Sequence, residues 1–299
     1  MSETRCGTLA LVGRPNVGKS TLLNALLEER LVITADRPQT TRHAILGIRT
    51  DGDDQLLFVD TPGLHDGGRR ALNRSMNRAA RGALFDVDIV VMVVEAGRWG
   101  PADDYVLEQV KQARGIPVLA INKIDALPKR EALLPYLAQA AARHDWADLV
   151  PIMARRGENV PRLLSVLRGH LPPGPHHYEA DALTDRSERF LVAELIREKL
   201  TRRLGDELPH QLSVEIERWR EGSDKREIHG AIWVERPGQR AIILGHQGSR
   251  IKEVGIEARQ EIERRFGRPV RLELWVKVRS GWTDDLRALR QLGYDSEQG

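Results

Sequence analysis

Cysteine is nearly missing from this chain. Cys6 is the only one, so no intrachain disulfide can form, and a reducing compartment such as the cytoplasm is expected rather than a secreted scaffold. Its thiol reads as a small residue beside the first strand. Long apolar runs are missing as well. No stretch approaches the roughly 20 consecutive apolar residues of a membrane-spanning helix. The short polar start, residues 1–5, has no apolar core of a secretory signal. Nor is there a strong charge of one sign: 46 Lys and Arg stand against 43 Asp and Glu, a net charge of +3. With a pI near 9.1, that excess permits a nucleic-acid partner without requiring one. What remains is a chain of 299 residues, 41% hydrophobic and 30% charged, which fits soluble globular structure and a length for two domains.

The most informative stretch is Gly13-Arg14-Pro15-Asn16-Val17-Gly18-Lys19-Ser20, a G-x-x-x-x-G-K-S phosphate-binding loop. Residues 9–12 before it are apolar and read as a buried strand; residues 21–27 after it have helical spacing. That strand–loop–helix context is what gives the motif meaning. The glycines let backbone wrap closely around an anion, and unpaired N–H groups at the helix start point at the phosphates. Lys19 is placed to reach the β- and γ-phosphates, and Ser20 to bind Mg²⁺.

From residue 8 to about 171, short β-rich apolar runs alternate with amphipathic segments. Strands are expected at 8–12, 56–59, 89–94, 118–121 and 149–152, with helical patterns at 105–113 and 133–142. This predicts an α/β fold with a mostly parallel sheet covered on both faces, and ligands at the carboxyl ends of its strands. Three motifs fall at such ends. In Asp60-Thr61-Pro62-Gly63, Asp60 suits a direct or indirect hold on Mg²⁺, and the Gly63 N–H suits the γ-phosphate. In Asn122-Lys123-Ile124-Asp125, the Asp125 carboxylate can accept from both the N1–H and the 2-amino group of guanine, a donor pair adenine lacks. Asn122 braces that loop, and the Lys123 stem can lie along the base. Met153-Ala154 ends the last strand, where the Ala154 N–H could meet the guanine O6. The polar loop 34–42 offers Thr41, preferred over Thr40, to Mg²⁺ or the γ-phosphate.

A proline-rich stretch, 172–186, reads as a linker between a nucleotide-binding domain (1–171) and a second domain (187–299). Its His176-His177 pair has no clustered ligands around it and reads as solvated. In the second domain, Ser187 is a candidate cap for a helix over 187–204, strands are expected at 212–219, 228–234 and 270–278, and a helix at 256–266. Residues 241–244 fit either helix or strand. Gly245-His246-Gln247-Gly248, followed by Ser249, Arg250 and Lys252, fits the G-x-x-G loop by which a KH domain clamps about four nucleotides of single-stranded RNA. Glu253, Glu257, Glu261 and Glu263 lie nearby, so a local basic groove is expected rather than a basic face.

The first-domain motifs, in this order, resemble the translation-factor-like class of P-loop GTPases. Both halves together resemble the Era family, bacterial GTPases with a C-terminal type II KH domain. The resemblance is carried by residues 13–20, 38–42, 60–64 and 122–125, by His176-His177-Tyr178, and by residues 205–209, 245–251, 274–278 and 281–282. It covers nearly the whole chain. It implies GTP or GDP with Mg²⁺ held by Ser20, Thr41 and Asp60, and catalysis involving Lys19, Thr41, Gly63 and Asn16. It further implies a KH domain on the 3′ end of 16S rRNA, assistance to assembly of the small (30S) ribosomal subunit, and a cytoplasmic protein peripherally associated with the membrane. A monomer is expected. The family's usual Ser-Ala is Met153-Ala154 here. Leu64 stands where Ras has a water-orienting glutamine, so slow intrinsic hydrolysis is expected. No arginine finger can be assigned among Arg14, Arg37, Arg42, Arg69 and Arg70. Resemblance to potassium-dependent GTPases suggests K⁺ held with help from Asn16. The rival readings are an ATP-using phosphotransferase and a non-enzymatic RNA-binding module with nucleotide as a structural ligand.

Overall fold

The computed structural model describes residues 3–34, 43, 45–61, 71–72, 76, 82, 84, 86–204 and 212–294. Thr40, Thr41, Pro62, Gly63 and Leu64 lie outside the described residues, as do Arg37, Arg42, Arg69, Arg70 and the stretch 205–209. The chain divides into two units whose main boundary in sequence falls between Asp185 and Arg186.

The first unit is built on a six-stranded sheet of order β2-β3-β1-β4-β5-β6. Its strands are β1 Arg5–Val12, β2 Ile45–Asp51, β3 Asp54–Asp60, β4 Ile89–Glu95, β5 Ile116–Asn122 and β6 Asp148–Pro151. All pairings are parallel except the β2–β3 hairpin. β4 has the continuous apolar run of a strand covered on both faces, and all seven of its residues are buried. Helices Lys19–Leu27, Pro101–Gln112, Leu133–Ala141 and Val160–Gly169 follow the strands. On one side, Ala10, Val12, Val90, Met92 and Val94 pack with Val106, Leu107 and Val110 of the second helix. The chain leaves β1 toward β3 on one side, while β4 lies on the other. The crevice at the carboxyl end of β1 is therefore a topological switch point, where open α/β sheets bind ligands.

Residues 172–183 are tied along this unit. The Pro172 carbonyl accepts from the Cys6 N–H at 3.2 Å, the Gly174 N–H donates to Thr4, and the Ile48 N–H donates to Leu183. The fully buried Gln55 accepts from the N–H groups of His177 and Tyr178 at 2.7 and 3.0 Å and donates to the Tyr178 carbonyl at 2.8 Å. Prolines prevent helix here, so the backbone's polar groups must be satisfied by the neighbouring strands and by one side-chain amide.

The second unit runs helix Glu188–Arg203, β7 Leu212–Glu221, β8 Arg226–Val234, helices Pro237–Leu244 and Ser249–Phe266, then β9 Val270–Val278 and a short helix Leu286–Gln291. β7 is antiparallel to β8 and β9 is parallel to it, the arrangement expected of a type II KH domain. Ser187 caps the first helix, its hydroxyl accepting from the Phe190 N–H at 3.3 Å. Leu195, Ile196, Leu200, Ile228, Ile232, Val254, Ala258 and Ile262 form the core, and Val270, Leu272, Leu274 and Val276 of β9 join it from one face. Residues 241–244 are helical. Pro237 opens that helix, and the Gln239 side chain accepts from the N–H groups of Glu235 and Arg236 at 2.8 and 2.9 Å. The following helix begins at Ser249, seven residues before the start expected from sequence.

Candidate nucleotide site and nucleic-acid loop

The phosphate loop joins β1 to the helix Lys19–Leu27. Gly18 caps that helix at φ 101°, and a Cβ there would stand 2.3 Å from the Asn122 side-chain nitrogen. Only glycine meets both conditions. The Lys19 ammonium is buried and donates to the carbonyls of Gly13 and Arg14 at 2.9 and 3.1 Å. Burial pulls its pKa down to about 8, against the upward pull of Asp60 and with a further downward push from Arg14. The Ser20 hydroxyl donates to the fully buried carboxylate of Asp60 at 3.0 Å. These two hard oxygen ligands suit Mg²⁺. No group of three or more His, Cys, Asp or Glu stands ready for a metal among the described residues; an ion here would complete its shell from phosphate and water. Thr61, expected to touch nucleotide, is fully buried and donates to the Leu11 carbonyl at 2.9 Å. Its side chain braces the ends of two adjacent strands.

At the base end, Asn122 is 3% exposed. Its amide donates to the Val17 carbonyl at 2.8 Å and accepts from the Ala154 N–H at 3.0 Å. The Ala154 N–H, expected to meet guanine O6, here donates to Asn122. A buried amide must be satisfied, and this N–H satisfies it. Lys123 has φ 60° and donates to the Asn16 carbonyl at 2.7 Å, so it reaches across to the phosphate loop. Ile124 and Asp125 open a short 3-10 turn, with Asp125 exposed. Met153 is buried, and its backbone pairs with Glu158 through two hydrogen bonds of 3.0 and 3.2 Å. Two backbone hydrogen bonds thus close the loop where the family usually has a hydroxyl.

Arg14 is no free finger. Its guanidinium lies 3.2 Å from Asp103 and 3.2 Å from Glu95. Neither acid stands in a sequence motif, so neither is among the expected site residues.

In the second unit, Gly245-His246-Gln247-Gly248 links two helices, with His246, Gln247 and Ser249 exposed. Gly245 sits at φ 69°, where a Cβ would meet that of Arg250 at 2.8 Å. Arg250 was expected to lend charge to a groove; its guanidinium donates to the Ile242 carbonyl at 2.7 Å, capping the preceding helix. Lys252 is exposed. The acids that seemed to spoil the groove are paired. Arg203 binds Glu253 and Glu257, Lys199 binds Glu261, and Arg259 binds Glu263.

Residues 8–123 match a family described as 50S ribosome-binding GTPase, and residues 207–283 match the KH domain family. The GTPase Era of Pseudomonas fluorescens is 50% identical over 98% of both chains. A variant of Aquifex aeolicus Era bound to GDP and AlF4− superposes with a TM-score of 0.92 at 36% identity, covering 97% of this chain and 99% of the other. An Era complex with MgGDPNP and nucleotides 1506–1542 of 16S ribosomal RNA superposes at 0.93, with the same identity and coverage. On identity and coverage of that order, the chain belongs to the Era family of GTPases.

Proposed function

We propose that this protein is a GTP-hydrolysing switch whose nucleotide state governs how its KH domain holds the 3′ end of 16S rRNA during 30S subunit assembly. One observation carries the reading. A buried lysine and a Ser–Asp oxygen pair stand at the carboxyl ends of β1 and β3, and an exposed Asp125 beside Asn122, itself bonded to the phosphate loop, stands at that of β5. The first group suits a polyphosphate, the second guanine.

Lys19 and the loop N–H groups neutralise charge that builds on the phosphates as the terminal bond breaks, and water takes the phosphoryl group to give GDP and phosphate. Mg²⁺ held by Ser20 and Asp60, with Thr41 completing the set, would add charge neutralisation there. Gly63 supplies a backbone donor to the γ-phosphate. The 16S assignment is favoured over a large-subunit target because the family described by the 50S name ends at residue 123, before the KH domain. The complex with 16S nucleotides spans both units. Gly245 to Ser249 and Lys252 grip the RNA backbone, with Arg250 holding the loop's shape. Nucleotide and RNA are coupled only by differential affinity, which must be reciprocal.

Phosphate release from GTP but not ATP, lost in Lys19→Ala, tests the chemistry and excludes the structural-nucleotide and ATP alternatives. Affinity for a 16S 3′-end oligonucleotide, compared between the GDP and GTP-analogue states, tests the switch; equal dissociation constants would remove the coupling. Asn16 is exposed and sits at the loop's turn with φ 65°, and K⁺ held there raises the rate in KCl over NaCl. No helix among the described residues is long and apolar enough to cross a membrane. Peripheral attachment to the inner face of the membrane belongs to the same proposal, and co-sedimentation with anionic vesicles tests it.

A further inference from the structure

Glu95 ends β4, the strand between β1, which leads into the phosphate loop, and β5, which leads into the Asn122–Asp125 loop. Its register partner on β5 is Asn122. Its side chain is 9% exposed; Arg98 lies 3.4 Å from its Oε1, and Oε2 accepts from two cations carried by different loops. Arg14 of the phosphate loop donates at 3.2 Å, and Lys123 of the base loop donates at 3.1 Å. Each cation is tied further. The Arg14 guanidinium also reaches Asp103 at 3.2 Å, and Asp103, 1% exposed, accepts from the Gly100 N–H at 3.1 Å at the start of its helix. The Lys123 ammonium also donates to the Asn16 carbonyl. The Arg14 carbonyl in turn accepts from Lys19. One buried carboxylate thus joins the phosphate loop to the base loop. The Tyr136 hydroxyl, from the helix Leu133–Ala141, donates to the Glu95 carbonyl at 3.0 Å and so ties the residue from which that carboxylate projects.

We infer that Glu95 is a positioning residue for guanine nucleotide: through Arg14 and Lys123 it fixes the spacing between the phosphate loop and the base-selecting loop. This rests on the GTPase reading above. The chemistry follows from Lys123. Lys123 holds a disfavoured φ of 60° between backbone hydrogen bonds at Asn122, Lys123 and Ile124, and its side chain adds two further ties. Lys123 grips Glu95 and Asn16, and two residues later comes Asp125. Remove the charge of Glu95 and two charge-assisted bonds weaken together; Lys123 relaxes, and Asp125 loses its aim at the base. Burial alone would raise the carboxyl pKa of Glu95, but Lys123 and Arg14 outweigh it and hold it below its ordinary value, so the group stays ionised at neutral pH.

The test uses the full chain and a fluorescent GDP. Glu95→Gln releases it roughly ten-fold faster than wild type, a loss on the scale of one charge-assisted hydrogen bond. The preference for GDP over inosine diphosphate, which lacks the 2-amino group, falls by at least about three-fold as Asp125 is displaced. Glu95→Asp, which keeps the charge on a shorter stem, recovers part of both. The charge-matched control Glu108→Gln removes an exposed carboxylate from the same unit and leaves release unchanged. The role is overturned if Glu95→Gln releases within two-fold of wild type, or if the base preference stays fixed while only the melting temperature falls. Equal acceleration in Glu108→Gln also overturns it. Should Glu95→Gln lose its cooperative melt, Glu95→Asp decides: wild-type release and base preference from a carboxylate drawn back by one methylene refute the role. Wild-type protein that fails to retain the labelled nucleotide refutes the GTPase reading itself, which is a different result.

Discussion

The side-chain amide of Asn122 donates to the carbonyl of Val17 at 2.8 Å across 105 residues of sequence. The same amide accepts from Ala154 on the neighbouring strand end, so three loops converge on one buried group. Asn122→Ala strands the Val17 carbonyl and the Ala154 N–H together. At roughly 1–3 kcal/mol for a buried unsatisfied group, GDP affinity falls at least about ten-fold, as read by calorimetric titration. Gly18→Ala reaches a similar outcome from the other side, because its methyl would press on the Asn122 nitrogen.

Lys19 gives a pH dependence of definite sign. Without an anion, burial holds its pKa near 8. A bound polyphosphate restores the preference for the ammonium form and raises that pKa. Below pH 8 both states carry the proton and affinity is flat in this group. Above pH 8 the free protein loses the proton while the complex keeps it. Binding then takes up a proton, and log affinity falls with pH by up to about one unit per pH unit. GDP dissociation constants measured from pH 7 to 9.5 check this. Lys19→Met removes the bend along with most of the affinity.

Much of the first unit was legible because buried parallel strands announce themselves as apolar runs, and each motif stood at the end of one. β2 was not read. Its Ile45–Asp51 turns polar after Ile48, it lies at the sheet edge, and it pairs antiparallel with β3, so it lacks the continuous apolar signature. The helix Ser249–Phe266 was read seven residues short because its first turns follow two loop glycines and contain Gly255; local propensity argued against helix where packing of Val254 and Ala258 enforces it. Glu95 was illegible for another reason. Its partners lie 81 and 28 residues away, and an acid at a strand end reads as solvated until the fold brings two loops against it. The proline-rich stretch read as a linker from composition; only the fold reveals Gln55, 122 and 123 residues away, as its anchor.

Met153 offers a substitution in the reverse direction of the family pattern. Met153→Ser installs the hydroxyl usual at that position but removes an apolar side chain that is 7% exposed. Because the Glu158 backbone already closes the loop, the new hydroxyl adds little. The lost burial costs about 2–4 kcal/mol, on the scale of other large-to-small core changes. A lower melting temperature with GDP affinity unchanged within about two-fold is the expected result; clearly tighter GDP binding would show instead that the hydroxyl matters.

Arg203 tests how the RNA loop keeps its charge. Its guanidinium binds Glu253 and Glu257, the first acids on the helix that opens just after Gly248. In Arg203→Ala those two carboxylates lose their paired cation, and only Lys199 and Arg202 still act on Glu257, within the first turns behind the loop, where the phosphate backbone of a bound strand would lie. Their repulsion acts through solvent and is screened by salt. Affinity for a single-stranded 16S 3′-end oligonucleotide therefore falls several-fold at low ionic strength, and the deficit shrinks as salt rises. Adding Glu253→Gln and Glu257→Gln to Arg203→Ala restores binding if repulsion is the cause. If it does not, Arg203 acts by holding the two helices together, and hydrogen exchange in Ser249–Phe266 will have risen in the single variant.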